Sequence, residues 1–219
     1  MTISNKTLNQ INPGTKYANC TFELEFVEHV KGNSFLNCKF SSICMEMVEN
    51  CRFMNCSFPE LIIEEIEKTT IKGGYIQCLR LSNLMTSDRE FNFLQTDNAK
   101  ELHLDACEIN KIPPSLSQMK NVMVLDLSQN EMTNITEITK LVNLKELHLN
   151  NNHIREIPTS ITKLQKLTTL ILDNNNIKDV PAELGQLQNL TQLSLLNNNI
   201  DKDKQSKTLE FFTNCDVKI

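Results

Sequence analysis

The chain has no tryptophan, only five glycines and no long apolar run. It lacks a glycine-rich phosphate loop, a GxSxG turn and an HExxH helix, so the common nucleotide, hydrolase and metalloprotease patterns are absent. No segment approaches the roughly 20 apolar residues of a membrane span, and the opening MTISNKTLNQINPG has no apolar signal core. We therefore expect a non-enzymatic, cytoplasmic protein with no membrane partner; export as an effector into a host is the alternative.

The charge and the cysteine content of the chain further limit the kinds of partner, metal and cofactor that we expect it to bind. The net charge of −5 and the isoelectric point near 5.5 disfavour nonspecific attraction to nucleic acid. Eight cysteines occur without any CxxC pair, and the cluster at Cys38, Cys44, Cys51 and Cys56 lacks the close ligand pairs of a structural zinc site. We expect reduced thiols, no metal and no cofactor.

A 22–23-residue pattern recurs five times in the second half of the chain. Its first apolar position falls at Ala99, Val122, Leu144, Leu167 and Leu190. Two leucines separated by one residue follow, as in Leu147 and Leu149, and then an asparagine that Cys107 replaces in the first copy. A proline comes next at Pro113, Pro158 and Pro181, while the 22-residue copy has Thr136. One such coil cannot bury its own apolar edge, so the copies are expected to stack.

These residues match LxxLxLxxNxLxxLPxxLxxLxx, and the chain resembles bacterial leucine-rich repeat proteins over residues 99–200. The resemblance implies an α/β horseshoe with a parallel sheet on its concave side and short helical, 3-10 or extended segments on its convex side. In LxL the two leucines share one strand face and point inward. A degenerate copy precedes them, with Ile76, Leu79 and Leu81 in register and Leu84 in the asparagine slot.

A second period, of 18 residues, governs the first part of the chain. NCTF, NCKF and NCSF begin at residues 19, 37 and 55, a pattern faintly similar to pentapeptide-repeat solenoids. Cys20, Cys38 and Cys56 would stack in one ladder, with Phe22, Phe40 and Phe58 beside them; the alternative is an independent small β domain. We divide the chain into a lead-in (1–17), β-solenoid coils that cap the repeats (18–75), leucine-rich repeats (76–200) and a terminal cap (201–219).

The terminal cap is expected to contain a short helix in SKTLEFF. Its Leu209 and Phe212 are predicted to point inward and to close the last repeat.

The outward positions of the five repeat strands and their turns carry the functional hypothesis. Seven of these 25 positions are acidic and none is lysine or arginine, whereas Arg155 and Lys178 are expected toward the back. We predict no catalytic or metal residues and the following partner-binding set: Glu101, His103, Asp105, Asp126, Ser128, Glu146, His148, Asn150, Ile171, Asp173 and Leu196.

An acidic surface of this kind would steer and hold a basic patch on a partner protein. We therefore expect a monomeric protein-binding module. Two other interpretations stay open: any solvated strand face is polar, or the protein is an adaptor or secreted effector whose contact surface is the NCxF coils.

Overall fold

The computed structural model describes residues 1–82, 94–95 and 98–219. The chain folds as two compact units, which we call the amino-terminal unit (1–103 and 113–121) and the carboxy-terminal unit (104–112 and 122–219). The four segments expected from the sequence stay a prediction. The return segment of the degenerate repeat, with Leu84, lies largely outside the described residues.

The amino-terminal unit is built from short parallel strands. They are β1 (Thr2–Ser4), β2 (Thr7–Leu8), β3 (Lys16–Ala18), β4 (Thr21–Phe22), β5 (Phe26–Lys31), β6 (Ser34–Leu36), β7 (Lys39–Phe40), β8 (Ile43–Glu49), β9 (Arg52–Met54), β10 (Ser57–Glu67), β11 (Thr70–Lys72), β12 (Tyr75–Leu81), β13 (Leu94–Gln95) and β14 (Ala99–His103). One sheet has the order β1-β3-β6-β9-β11-β13. In the other, β2, β4, β7, β10, β12 and β14 are neighbours in that order, and β5 pairs with β8 and β8 with β10. A 3-10 helix at Leu116–Gln118 completes the unit.

Residues 18 apart lie side by side in this unit, which confirms the coils expected from the NCxF period. Phe22 pairs with Phe40 across β4 and β7, and Tyr17 pairs with Phe35 across β3 and β6. The first coil is shorter, since Thr2 pairs with Lys16, and residues of the expected lead-in already form strands there. Each coil exposes an apolar edge that only the next coil can cover.

Two aromatic ladders fill the interior of the coils. Phe22, Phe40 and Phe58 stack with ring centroids 4.7 and 4.5 Å apart, as predicted. Tyr17, Phe35 and Phe53 form the second ladder, at 5.2 and 4.7 Å. The two ladders meet edge to face, an arrangement favoured by the ring quadrupoles. Cys20, Cys38 and Cys56 are also buried, and all eight cysteines of the chain are free thiols.

Left-handed corners explain the asparagine of each NCxF motif. Asn19, Asn37 and Asn55 have φ between 52° and 55°, and asparagine tolerates this region better than other side chains. Gly74 occupies a tighter corner, because a Cβ there would lie 2.0 Å from the Cys56 carbonyl oxygen.

A polar column satisfies the backbone at a second corner of the coils. Its members, 18 residues apart, are Thr15, Asn33, Cys51 and Thr69. The Asn33 amide donates to the Thr15 carbonyl oxygen, and the Cys51 backbone N–H donates to the Thr69 hydroxyl. Burying a polar group without a partner costs free energy, and these hydrogen bonds offset that cost for the column.

The carboxy-terminal unit contains β15 (Val124–Asp126), β16 (Glu146–His148), β17 (Thr169–Ile171), β18 (Gln192–Ser194) and β19 (Asp216–Lys218), which pair in parallel in that order. Between them run 3-10 helices at Thr136–Lys140, Thr159–Lys163 and Ala182–Gln186, and α1 (Lys202–Glu210) precedes β19. Pro158 and Pro181 each stand directly before a 3-10 helix, as the repeat pattern indicates.

Leucines and asparagines form the internal ladders of this unit. Leu125, Leu147, Leu170 and Leu193 are fully buried, which confirms the inward direction of the LxL leucines. The asparagine ladder links each rung to the preceding one: Asn152 Oδ1 accepts the Met132 backbone N–H at 2.9 Å, and its Nδ2 donates to the Leu127 carbonyl at 2.9 Å. Asn130, Asn175 and Asn198 make equivalent bonds.

The terminal segment differs from its prediction in one respect. The expected helix exists, but Leu209 is 46% exposed, whereas Thr208 is buried and Phe212 is half-buried. The Thr208 hydroxyl donates to the Lys204 carbonyl oxygen, so its burial leaves no unpaired donor. The inward assignment of Leu209 is therefore wrong. The segment also adds β19 to the sheet, which the sequence pattern did not predict.

Candidate surface for partner binding

The candidate surface lies on the outward face of β15 to β18. Strand register aligns Val124, Glu146, Thr169 and Gln192 in one row and Asp126, His148, Ile171 and Ser194 in the next. Neighbouring strands lie about 4.8 Å apart, so the side chains of each row are close neighbours. None of these eight outward positions is lysine or arginine.

Asp126 and Glu146 lie on the strands of this face, and three further carboxylates of the carboxy-terminal unit stand in turns that follow strands. We call these five residues the acidic strand surface: Asp105, Asp126, Glu131, Glu146 and Asp173. Two of them also serve the fold. Asp126 accepts the Ser128 backbone N–H at 2.9 Å, and Asp173 accepts the Ser194 hydroxyl at 2.6 Å and the Leu196 backbone N–H at 2.8 Å. Asp105, Glu131 and Glu146 are exposed, so their charge is the most accessible to a partner.

His148 sits within the acidic strand surface. It is the register neighbour of Asp126, and its Nε2 lies 3.8 Å from a carboxylate oxygen of Glu146. The remaining predicted residues of this unit vary in exposure: Asn150 and Ile171 are half-buried, and Leu196 is 40% exposed. Ile171 and Leu196 thus offer limited apolar area beside the acids.

Two outward positions are buried, although the repeat pattern predicts exposed side chains there. Ser128 is 6% exposed and Ser194 is 3% exposed. A short side chain is covered when its neighbours on adjacent rungs are longer, and the Ser194 hydroxyl is turned to Asp173. The assumption that Ser128 is exposed is therefore wrong.

Basic residues come closer to the face than the sequence analysis expected. Lys218 on β19 is the register neighbour of Ser194, so it continues the row of Asp126 four strands away. At the turns after β16 and β17, Arg155 and Lys178 line an open hollow together with His153, Asn176 and Asn199. Arg155 and Lys178 thus lie beside His153, Asn176 and Asn199, which are among the outward positions of the repeat pattern. Lys218 adds a basic side chain to the row that begins at Asp126.

Glu101 and His103 belong to the amino-terminal unit, on β14. There they neighbour β12, where Cys78 is paired with Glu101 and Arg80 with His103. The ligand atoms of Cys78, Glu101 and His103 all lie within 4.8 Å of one another. Sequence reasoning missed this group, although the 23-residue step from Cys78 to Glu101 is one repeat and was visible in the pattern.

The amino-terminal unit also carries an exposed row that the sequence analysis did not single out. Phe26 on β5 is 58% exposed, and strand register places Cys44 and then Ile62 beside it. The exposed phenylalanine and the two half-buried side chains form a small apolar row on the surface of this unit. The 18-residue period could have found it, since the three residues are 18 apart.

Cys107 is a poor candidate for a nucleophile. It is 2% exposed in the turn before the asparagine ladder, where its backbone N–H donates to Asn130 Oδ1 at 3.1 Å. Burial keeps this thiol away from substrate, and Cys107 fills the asparagine position of the first repeat.

The stacked rungs and their exposed strand face define a solenoid of the kind that presents a surface rather than a cavity. A family model described as "leucine-rich repeat region" matches residues 98–210, which is more than half of the chain. The chain belongs to the leucine-rich repeat family. Members of this family are typically non-catalytic, and the family implies that this chain, which is of the bacterial type, is a protein–protein interaction module.

Solved structures agree with the family. Internalin C2 from Listeria monocytogenes is 26% identical, with a TM-score of 0.52, and the match covers 72% of this chain and 70% of that one. An internalin (inlF) from the same organism has a TM-score of 0.54 at 15% identity, covering 91% and 80%. The ectodomain of a plant membrane receptor kinase from Arabidopsis thaliana has a TM-score of 0.50 at 15% identity, covering 97% and 35%.

These likenesses, together with the parallel strands, confirm the α/β leucine-rich-repeat solenoid fold. A search of curated protein sequences found no match. Among the described residues, no helix is both long and apolar enough to cross a membrane.

Proposed function

We propose that the carboxy-terminal unit is a non-catalytic module that binds a basic patch on a partner protein through the acidic strand surface. The observation that carries the proposal is the position of exposed Glu146 on β16 next to β15, which carries Asp126, on a face whose β15–β18 positions hold no lysine or arginine. Glu131 adds an exposed carboxylate in the turn after β15. Converging carboxylates attract a positive patch during encounter and oppose a negative one.

The basic residues near this face restrict how a partner can orient on it. Arg155 and Lys178 at one edge and Lys218 on β19 would repel positive charge. A partner with a basic centre and acidic flanks fits this pattern better than a uniformly basic one, because each region then meets its opposite charge. Ile171 and Leu196 supply the apolar contact between them.

Charge reversal tests the proposal without disturbing the fold. Glu131→Lys with Glu146→Lys changes two exposed carboxylates for which no hydrogen bond to the fold is seen, unlike those of Asp126 and Asp173. Proteins captured from a cell lysate by the wild-type chain are identified by mass spectrometry, and the affinity of each purified partner is then measured. We expect the double variant to bind at least about tenfold more weakly, and wild-type binding to weaken with salt.

Glu156→Lys with Glu183→Lys is the matched control, because it changes the net charge equally at exposed sites off the strands. It should bind like the wild type. Equal binding by the charge-reversed double variant, with unchanged circular dichroism, would contradict the proposal.

A second candidate is recognition by the amino-terminal coils, as an adaptor or effector. The exposed Phe26 beside Cys44 and Ile62 favours it, because apolar side chains commonly anchor interfaces. Phe26→Ser would then abolish capture while Glu131→Lys with Glu146→Lys would leave it intact. The two variants therefore separate the candidates.

We expect the protein to act as a monomer in the cytosol, with export into a host as the alternative. Size-exclusion chromatography with light scattering checks the first statement. Fractionation of the producing cells and their medium checks the second.

A further inference from the structure

A group of three potential metal-binding side chains in the described part of the chain lies on β12 and β14 of the amino-terminal unit. Cys78, Glu101 and His103 come from two adjacent parallel strands of one unit. Glu101 and His103 are two residues apart and so share a strand face, and Cys78 is the register neighbour of Glu101. Strand pairing thus brings a thiol, a carboxylate and an imidazole together.

The geometry points to a binding site for a divalent cation of the zinc type, held by Cys78 Sγ, a Glu101 carboxylate oxygen and a His103 ring nitrogen. The three atoms lie within 4.8 Å of one another. Zinc–ligand distances of about 2.0–2.3 Å in tetrahedral geometry require separations of about 3.5 Å. Side-chain movements of about 1 Å would therefore bring the three atoms to the separations that an ion requires, while the strands keep their positions.

The donor set selects the ion. A thiolate with an imidazole and one carboxylate suits Zn²⁺, whereas Mg²⁺ and Ca²⁺ prefer oxygen ligands alone. Three protein ligands leave a fourth position open to water or to a partner's side chain. A bound ion would neutralise the Glu101 charge and occupy a ring nitrogen of His103. Both residues belong to the partner-binding set predicted from the sequence.

The surroundings support a bound cation. Gln77 Nε2 donates to a Glu101 oxygen at 3.0 Å, which orients the carboxylate as an outer-shell ligand does. Arg80 is the register neighbour of His103, and its positive charge would oppose a bound cation. Its Nε lies 3.2 Å from a Glu60 oxygen, and this carboxylate offsets the charge of Arg80. Cys78 is 7% exposed, so the thiol is shielded from bulk oxidants while the half-buried Glu101 and His103 leave an entry path.

Burial is the main cause that raises the pKa of the Cys78 thiol, Arg80 lowers it, and the charges of Glu101 and Glu60 raise it. Because a metal ion binds the thiolate, its binding releases a proton.

Cobalt(II) absorption tests the site on the full-length, reduced chain after chelation of resident metal. We expect a thiolate-to-cobalt charge-transfer band that saturates at about one equivalent and disappears when Zn²⁺ is added. Cys78→Ser should abolish the band, and His103→Gln should weaken cobalt binding at least about tenfold, since outer-shell changes alone cost 10–100-fold. Cys215→Ser, at a half-buried thiol outside this group, is the control and should keep the band.

Absence of the band from the wild-type chain, or its persistence in Cys78→Ser, would overturn the proposal. Circular dichroism verifies that each variant is folded. If Cys78→Ser is misfolded, His103→Gln and Glu101→Gln decide the matter: undiminished cobalt affinity in both would also overturn it. Glu131→Lys with Glu146→Lys changes none of the three ligands, so the partner proposal and the metal proposal fail independently.

Discussion

The two units solve the same problem with different side chains. Each stacks parallel coils and must fill an interior and satisfy the backbone at every turn. The amino-terminal coils use stacked rings, such as Phe35 between Tyr17 and Phe53, and the carboxy-terminal rungs use aliphatic side chains such as Leu147.

Their turns differ in the same way. The asparagine of an NCxF motif, such as Asn37, serves mainly by adopting a left-handed backbone, whereas Asn152 serves through buried side-chain hydrogen bonds. The same residue type therefore has two physical roles in one chain, and its position relative to the neighbouring strand decides which.

The largest expected effect is the loss of a central ring. Phe35→Ala removes a fully buried side chain that contacts Tyr17, Phe22, Phe40 and Phe53, so it should lower the free energy of unfolding by about 3–5 kcal/mol. Urea unfolding measures this. Phe26→Ala, at an exposed ring, is the control and should cost far less. A small loss at Phe35 would show that the aromatic ladders collapse readily around a cavity.

Asparagine substitutions should separate the two turn mechanisms at intermediate cost. Asn152→Ala leaves the buried Met132 N–H without its acceptor and removes one of the two amide donors of the Leu127 carbonyl, so we expect a loss of about 2–4 kcal/mol. Asn37→Ala places alanine in a left-handed backbone and removes one exposed hydrogen bond to Asn19, at a cost of about 1 kcal/mol, whereas Asn37→Gly should be near neutral. Equal losses for Asn152→Ala and Asn37→Ala in urea unfolding would show that the two roles are not distinct.

The smallest expected effect concerns an exposed ion pair. Lys31 Nζ lies 2.6 Å from Glu49, and this hydrogen bond is the main cause of a Glu49 pKa below its ordinary value near 4.5. A lowered carboxyl pKa stabilises the fold above the unfolded pKa, and this contribution is lost as pH falls through the folded pKa. Glu49→Gln should therefore be slightly less stable than wild type at pH 7 and equal to it near pH 3.

Urea unfolding at both pH values measures the difference, which salt should reduce because the pair is exposed. Glu183→Gln is the control, because Glu183 is exposed and forms no ion pair seen among the described residues. It should show no such pH dependence. A Glu49 effect that persists at pH 3 would rule out the ion pair as its cause.

The repeats and their buried ladders could be predicted because periodicity is a local property of the chain. LxL spacing requires Leu147 and Leu149 to share a face, and the 18-residue step requires Phe22, Phe40 and Phe58 to stack if the coils form at all. The left-handed corners were not predicted from the sequence, although asparagine recurs at a fixed position of each NCxF motif.

The candidate surface was only partly predictable. Its acids follow from the period, but Ser128 is covered by its neighbours, and Lys218 reaches the sheet through β19, which belongs to no repeat. The hollow at Arg155 and Lys178 depends on how the turns pack, which spacing does not describe.

By itself, the sequence determined a stacked solenoid, because an apolar edge repeated at 18 and 23 residues has no other way to leave water. Only the tertiary structure decided which outward side chains stay accessible, where the bases border the acids, and that Cys78 meets Glu101 and His103. Those outcomes depend on side chains from different coils filling the space between strands, and no single stretch of sequence encodes that space.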